Sequence, residues 1–144
     1  MKTLSRNVES FRNFIKEQNL YLEEGKNQDG SSFFRAEQRL ENGGSVILAV
    51  IFDINNEDFV EIYVFNIAEI RDAYKKESAL KLINELNAEF RYSKFILDSS
   101  GRVTSNYCLM FENNFNPSVV LRQLVLALNS ADEVYPKFMK LAWS

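Results

Sequence analysis

The chain has 144 residues, a formal net charge of −3 and a hydrophobic content of 46%, with aromatic residues making up 13%. It holds no His and a single Cys. Those counts exclude a Ser-His-Asp triad, a Cys-His pair, imidazole metal ligation, an internal disulfide and a Cys-rich zinc site.

Residues 4–18 place Leu4, Val8, Phe11 and Ile15 three or four apart, the pattern of an amphipathic helix with Thr3 as its N-cap. The polar stretch 25–30 reads as a loop. Residues 33–41 form a first strand, ended by the turn chemistry of Asn42-Gly43-Gly44. Residues 45–53 are apolar on both phases, as in a central strand covered on two sides. After a polar turn at 55–58, residues 59–66 make a third strand. Val60, Ile62 and Val64 lie on one face of it, and Phe59, Tyr63 and Phe65 on the other.

A helix follows at about 76–91, with Ala79, Leu82, Ile83, Leu86 and Phe90 as its apolar stripe. Strands at 92–98 and 102–112 flank a tight turn in which Gly101 suits positive φ. Asn116 and Pro117 supply the N-cap and first position of a last helix. Pro136 is expected to break or kink that helix. The order is α-βββ-α-ββ-α. It predicts a single α+β domain, a mostly antiparallel five-stranded sheet with helices packed on it.

Candidate chemistry is sparse. The stretch Asp53–Asp58 begins like a calcium loop, but Asp58 stands where Gly is needed and Val64 where a bidentate Glu is needed. It reads as a turn, and no metal is expected. Cys108, mid-strand, reads as a small buried hydrophobe, with no His to activate it. Glu85 and Glu89 fit a solvated helix face. The glycines form no phosphate-binding pattern, so no cofactor is expected. Trp143 reads as a packing anchor for the chain end. The charge balance, with Lys75-Lys76 as the longest basic run, argues against a nucleic-acid partner. Residues 1–6 lack the apolar run of a signal peptide, and the longest apolar run, 46–52, is far short of the roughly 20 residues that span a bilayer. A soluble cytoplasmic protein with no membrane partner is therefore expected.

One feature points outward. If the helices cover a single face of the sheet, the other face presents Ile47, Ile51, Phe59, Tyr63 and Phe65, an apolar patch of the kind that marks an interface. The first helix or the 20–30 segment would have to cover it otherwise.

The helix segment Leu82-Ile83-Asn84-Glu85-Leu86-Asn87, the strand Lys94-Phe95-Ile96-Leu97-Asp98 and the step Gly101-Arg102-Val103 form one continuous run. Ala131-Asp132-Glu133-Val134-Tyr135-Pro136 follows, eight residues before the last. From about residue 30 onward this pattern resembles the YbjN-like family, bacterial domains labelled sensory transduction regulators, whose fold is similar to that of the type III secretion chaperones. The first helix matches by position only. The resemblance implies a non-enzymatic, chaperone-like or regulatory module that binds a protein or peptide partner and forms a homodimer. It transfers no binding residue. A small-molecule sensor holding an apolar ligand between sheet and helices is the alternative.

Overall fold

A computed structural model describes residues 2–144, and the side chains of 2–5 lie outside that description. The predicted cap at Thr3 and the Leu4 end of the first apolar stripe fall among those side chains. The elements are α1 (Lys2–Glu17), β1 (Glu23–Lys26), β2 (Ser32–Arg39), β3 (Ser45–Phe52) and β4 (Phe59–Glu69). A 3-10 turn (Ala73–Lys75) then leads into α2 (Lys76–Glu89), β5 (Lys94–Leu97), β6 (Arg102–Met110) and α3 (Pro117–Ala142). The strands form one antiparallel sheet in the order β1-β2-β3-β4-β6-β5.

The α+β class stands, with six strands where the sequence predicts five. The extra strand, β1, takes in Glu23 and Glu24, which the sequence assigns to no element, and the first two residues of the stretch 25–30 read as a loop. Glu23, Glu24 and Lys26 carry no apolar alternation, so nothing local marks them as a strand. Pairing with β2 makes them one, and the Phe33 ring lies over Gly25, where a Cβ would come within 2.5 Å of it.

All three helices pack on one face of the sheet. Phe11 of α1 meets Phe34 of β2 edge-on at 4.9 Å and Phe52 of β3 at 5.8 Å. Phe90, just past α2, meets Phe95 of β5 at 5.5 Å. Val120, Leu124, Ala127, Ala131, Val134 and Phe138 of α3 are buried in the same core as Val46, Val50, Val60, Ile62 and Val64. The strand alternation therefore assigns the even-numbered residues of β3, and those at 60–64 of β4, to the core.

Pro136 does not end α3, which runs unbroken through it to Ala142. A proline leaves the carbonyl four residues earlier without its helical donor. That carbonyl belongs to Asp132, and it accepts a hydrogen bond from Asn42 Nδ2 at 3.0 Å. The Asn42 N–H also donates to Asp132 Oδ1 at 3.0 Å. The β2–β3 hairpin thus satisfies the helix where proline cannot. Tyr135 lies beside the same turn, against Gly43 and Gly44.

At the β5 edge of the sheet a side chain replaces a neighbouring strand. Asn87 of α2 accepts from the Phe95 N–H at 2.7 Å and donates to the Phe95 C=O at 3.0 Å. Asn87→Ala strands both groups beside a buried residue. It should lower stability by about 1–3 kcal/mol in urea denaturation, and Asn87→Asp, which keeps only the acceptor, should also destabilise.

Candidate functional site

The sheet face opposite the helices carries Ile47, Ala49 and Ile51 from β3 and Phe59, Glu61, Tyr63 and Phe65 from β4. Register places Ile47 beside Phe65, Ala49 beside Tyr63 and Ile51 beside Glu61. On β2, Phe33 pairs with Ile51 and Glu37 with Ile47. On β6, Asn106 lies beside Tyr63, Cys108 beside Glu61 and Met110 beside Phe59. All five residues singled out from the sequence, Ile47, Ile51, Phe59, Tyr63 and Phe65, sit on this face and are half-buried. Neither α1 nor the 20–30 segment lies over them: α1 is in the helical layer and β1 is in the plane of the sheet. Met110, 71% exposed, extends the patch.

Sequence reasoning missed Phe33 and Met110. Phe33 alternates with the buried Phe34, a phase that the loose pattern of 33–41 leaves open. Met110 joins the patch only through the antiparallel register with Phe59.

The patch is ordered. Tyr63 and Phe65, two apart on β4, stack with ring centroids 5.0 Å apart and planes within 6°. The Tyr63 hydroxyl donates to Glu61 Oε2 at 2.9 Å. Burial, reinforced by that carboxylate, pushes the Tyr63 phenol up to about 12 from an ordinary 10.0. The folded chain therefore holds this proton where the unfolded chain has lost it. Stability should be intact below pH 10 and decline as pH rises from 10 towards 12. Denaturation across that window should show the decline, and Tyr63→Phe should remove part of it.

Cys108 is exposed on this face, contrary to the buried position its mid-strand context implies. β6 alternates there, and Leu109 takes the inward side while Cys108 faces out. Burial and then Glu61 and Asp53 push the thiol up. That opposes thiolate formation, so the residue lacks the activation a nucleophile needs.

Other sequence candidates resolve structurally. Asp53 Oδ1 accepts from the Asn55 N–H at 2.8 Å, and Asn56 Oδ1 from the Asp58 N–H at 3.1 Å, so these oxygens shape the β3–β4 turn. Among the described residues, no group of three or more His, Cys, Asp or Glu could hold a metal. Lys75 caps the end of α3, donating to the Ala142 C=O at 2.8 Å. Trp143 is 84% exposed and does not anchor the chain end, because α3 itself carries the contacts that do. A recess of about 480 Å³ lies beside it, between the end of β4 and the end of α3. No helix is long and apolar enough to cross a membrane among the described residues. No protein-family model matches the chain, and no curated protein matches it in sequence.

Proposed function

We propose that this chain is a non-enzymatic protein-interaction module, chaperone-like or regulatory, of the YbjN-like and secretion-chaperone kind, acting in the cytoplasm as a homodimer. The observation that carries the reading is the uncovered sheet face with its stacked Tyr63–Phe65 pair and neighbouring Ile47, Ile51 and Phe59. A contiguous apolar patch left open by a domain with three helices to spend on coverage is the usual mark of an interface. The partner is a polypeptide offering apolar side chains. The face carries both signs, with Arg35 and Glu37 on β2, Glu61 on β4 between Phe59 and Tyr63, and Lys94 on β5, which suits a polypeptide better than a uniformly anionic nucleic acid or membrane.

The element order and the Asp98–Gly101 turn support the family resemblance. Asp98 Oδ1 accepts from the N–H groups of Ser100 and Arg102, each at 2.9 Å, and Gly101 takes φ +85°.

Phe65→Lys tests the reading. The variant loses the stack on Tyr63 and should be about 1–2 kcal/mol less stable, with circular dichroism showing that it still folds. Affinity capture from the native host, with wild type and variant side by side, should return a protein that the variant loses. Equal recovery with a folded Phe65→Lys would remove the face from the account. The recess beside Trp143 favours a second reading, a small-molecule sensor. A thermal-shift screen in which a metabolite raises the wild-type midpoint but not that of Trp143→Ala would support it.

A further inference from the structure

The two edges of the sheet are treated differently. At β5 the outward N–H and C=O of Phe95 are both taken by Asn87. At β1 the outward groups are those of Glu24 and Lys26. The Asn27 N–H donates to the Ser31 C=O at 2.8 Å, and ladder alternation then turns Gly25 and Glu23 towards β2 and turns Glu24 and Lys26 away. No hydrogen bond occupies the backbone of either residue among the described residues. An unpaired edge of this kind templates another strand.

We propose that β1 pairs antiparallel with β1 of a second copy of this chain, about a two-fold axis centred on Gly25. Charge favours one register, with each Glu24 carboxylate also held by Arg12 of its own chain at 2.7 Å on the Phe34 side of the sheet. A pair centred on Glu24 sets that carboxylate against its own copy, and one centred on Lys26 sets ammonium against ammonium. The pair centred on Gly25 sets Glu24 opposite Lys26 twice, with Cβ atoms roughly 4.5–5.5 Å apart. The same register lets both residues exchange N–H···O=C bonds, four in all, and brings Gly25 against Gly25, neither of which adds a side chain of its own.

On the helical side Arg12 of α1 reaches Glu24 at 2.7 Å, while the helix bodies stand apart. Three strand spacings separate the two β2 strands, roughly 14 Å, and α1 lies over β2 and β3. The two α1 helices thus stand farther apart than the roughly 8–10 Å of packed helices. On the opposite face the Phe33 rings lie over the glycines at the centre. The two apolar faces become one surface across a twelve-stranded sheet. This deepens the homodimer named above without depending on what the face binds.

Sedimentation equilibrium up to about 1 mM tests it. The wild type should move from 16.7 kDa towards twice that mass as concentration rises. Lys26→Glu opposes like charges at both positions and should weaken the dimer about tenfold while circular dichroism stays unchanged. Glu24→Lys should do the same, although it also removes the ion pair of Glu24 with Arg12 at 2.7 Å. An equimolar mixture of the two variants should recover the dimer, because each then meets its opposite. Phe65→Lys should dimerise as the wild type does. A wild type that stays monomeric throughout, a Lys26→Glu dimer of wild-type strength, or a dimer abolished by Phe65→Lys would each overturn the proposal. The last of these would leave the binding role of the face standing.

Discussion

Phe34→Ala should cost about 3–5 kcal/mol, a large part of the roughly 5–15 kcal/mol that holds a domain together. Phe34 is 1% exposed and sits at the centre of three rings. It meets Phe11 at 4.9 Å with planes at 77°, and Phe52 at 5.9 Å with planes at 72°. Both are edge-to-face contacts, which add to the area buried. Truncation removes the ring and leaves a cavity walled by two others, which cannot both close on it. The residue also joins α1 to the sheet, since Phe11 is the most deeply buried of the described side chains of that helix. Urea denaturation should show a much lower midpoint, and amides of α1 should exchange fastest. Phe34→Leu, which fills part of the space, should cost clearly less. A loss under about 1 kcal/mol for Phe34→Ala would mean that α1 does not dock there.

Gly101→Ala should cost about 2–3 kcal/mol, for two reasons that add. Gly101 takes φ +85°, a region that costs an L residue about 1–2 kcal/mol. An added Cβ would also come within 2.8 Å of the Ile70 carbonyl oxygen. That oxygen is backbone and cannot swing aside, and the adjacent Ile70 N–H donates to the Gly101 C=O at 2.7 Å. Relief would pull β6 away from the end of β4. Gly44 offers the contrast. Its φ is +77°, but its Cβ would meet the outer end of the Tyr135 ring, a side chain and not backbone. Thermal denaturation should therefore rank Gly101→Ala as the more damaging of the two. The reverse order would mean that Tyr135 is held more rigidly than the β4–β6 junction.

What the residues announce, and what they conceal, follows from whether the cause is local. The stripe of α2, the Asn116-Pro117 start of α3 and the Asp98–Gly101 turn are legible because spacing, cap or turn chemistry lies within a few residues. β1 is not, because Glu23-Glu24-Gly25-Lys26 becomes a strand only through β2. The unbroken α3 is hidden for the same reason: the group that compensates for Pro136 is Asn42, 94 positions away. The outward turn of Cys108 is hidden because mid-strand position does not say which way a residue points. The outward patch was partly legible, since β4 alternates cleanly and its two phases are both apolar. That the helices share one side is a tertiary fact, which no run of residues carries.

Cys108 offers a native reporter for partner binding on this face, being the single cysteine of the chain and lying beside Glu61 within the patch. The measurement is alkylation of Cys108 in the folded protein, alone and in complex with the captured partner. The isolated protein should be labelled at a rate independent of stability, because no unfolding is needed to reach an exposed thiol, and the complex should be protected. Labelling of the isolated protein only after denaturation, or an identical rate in the complex, would contradict it.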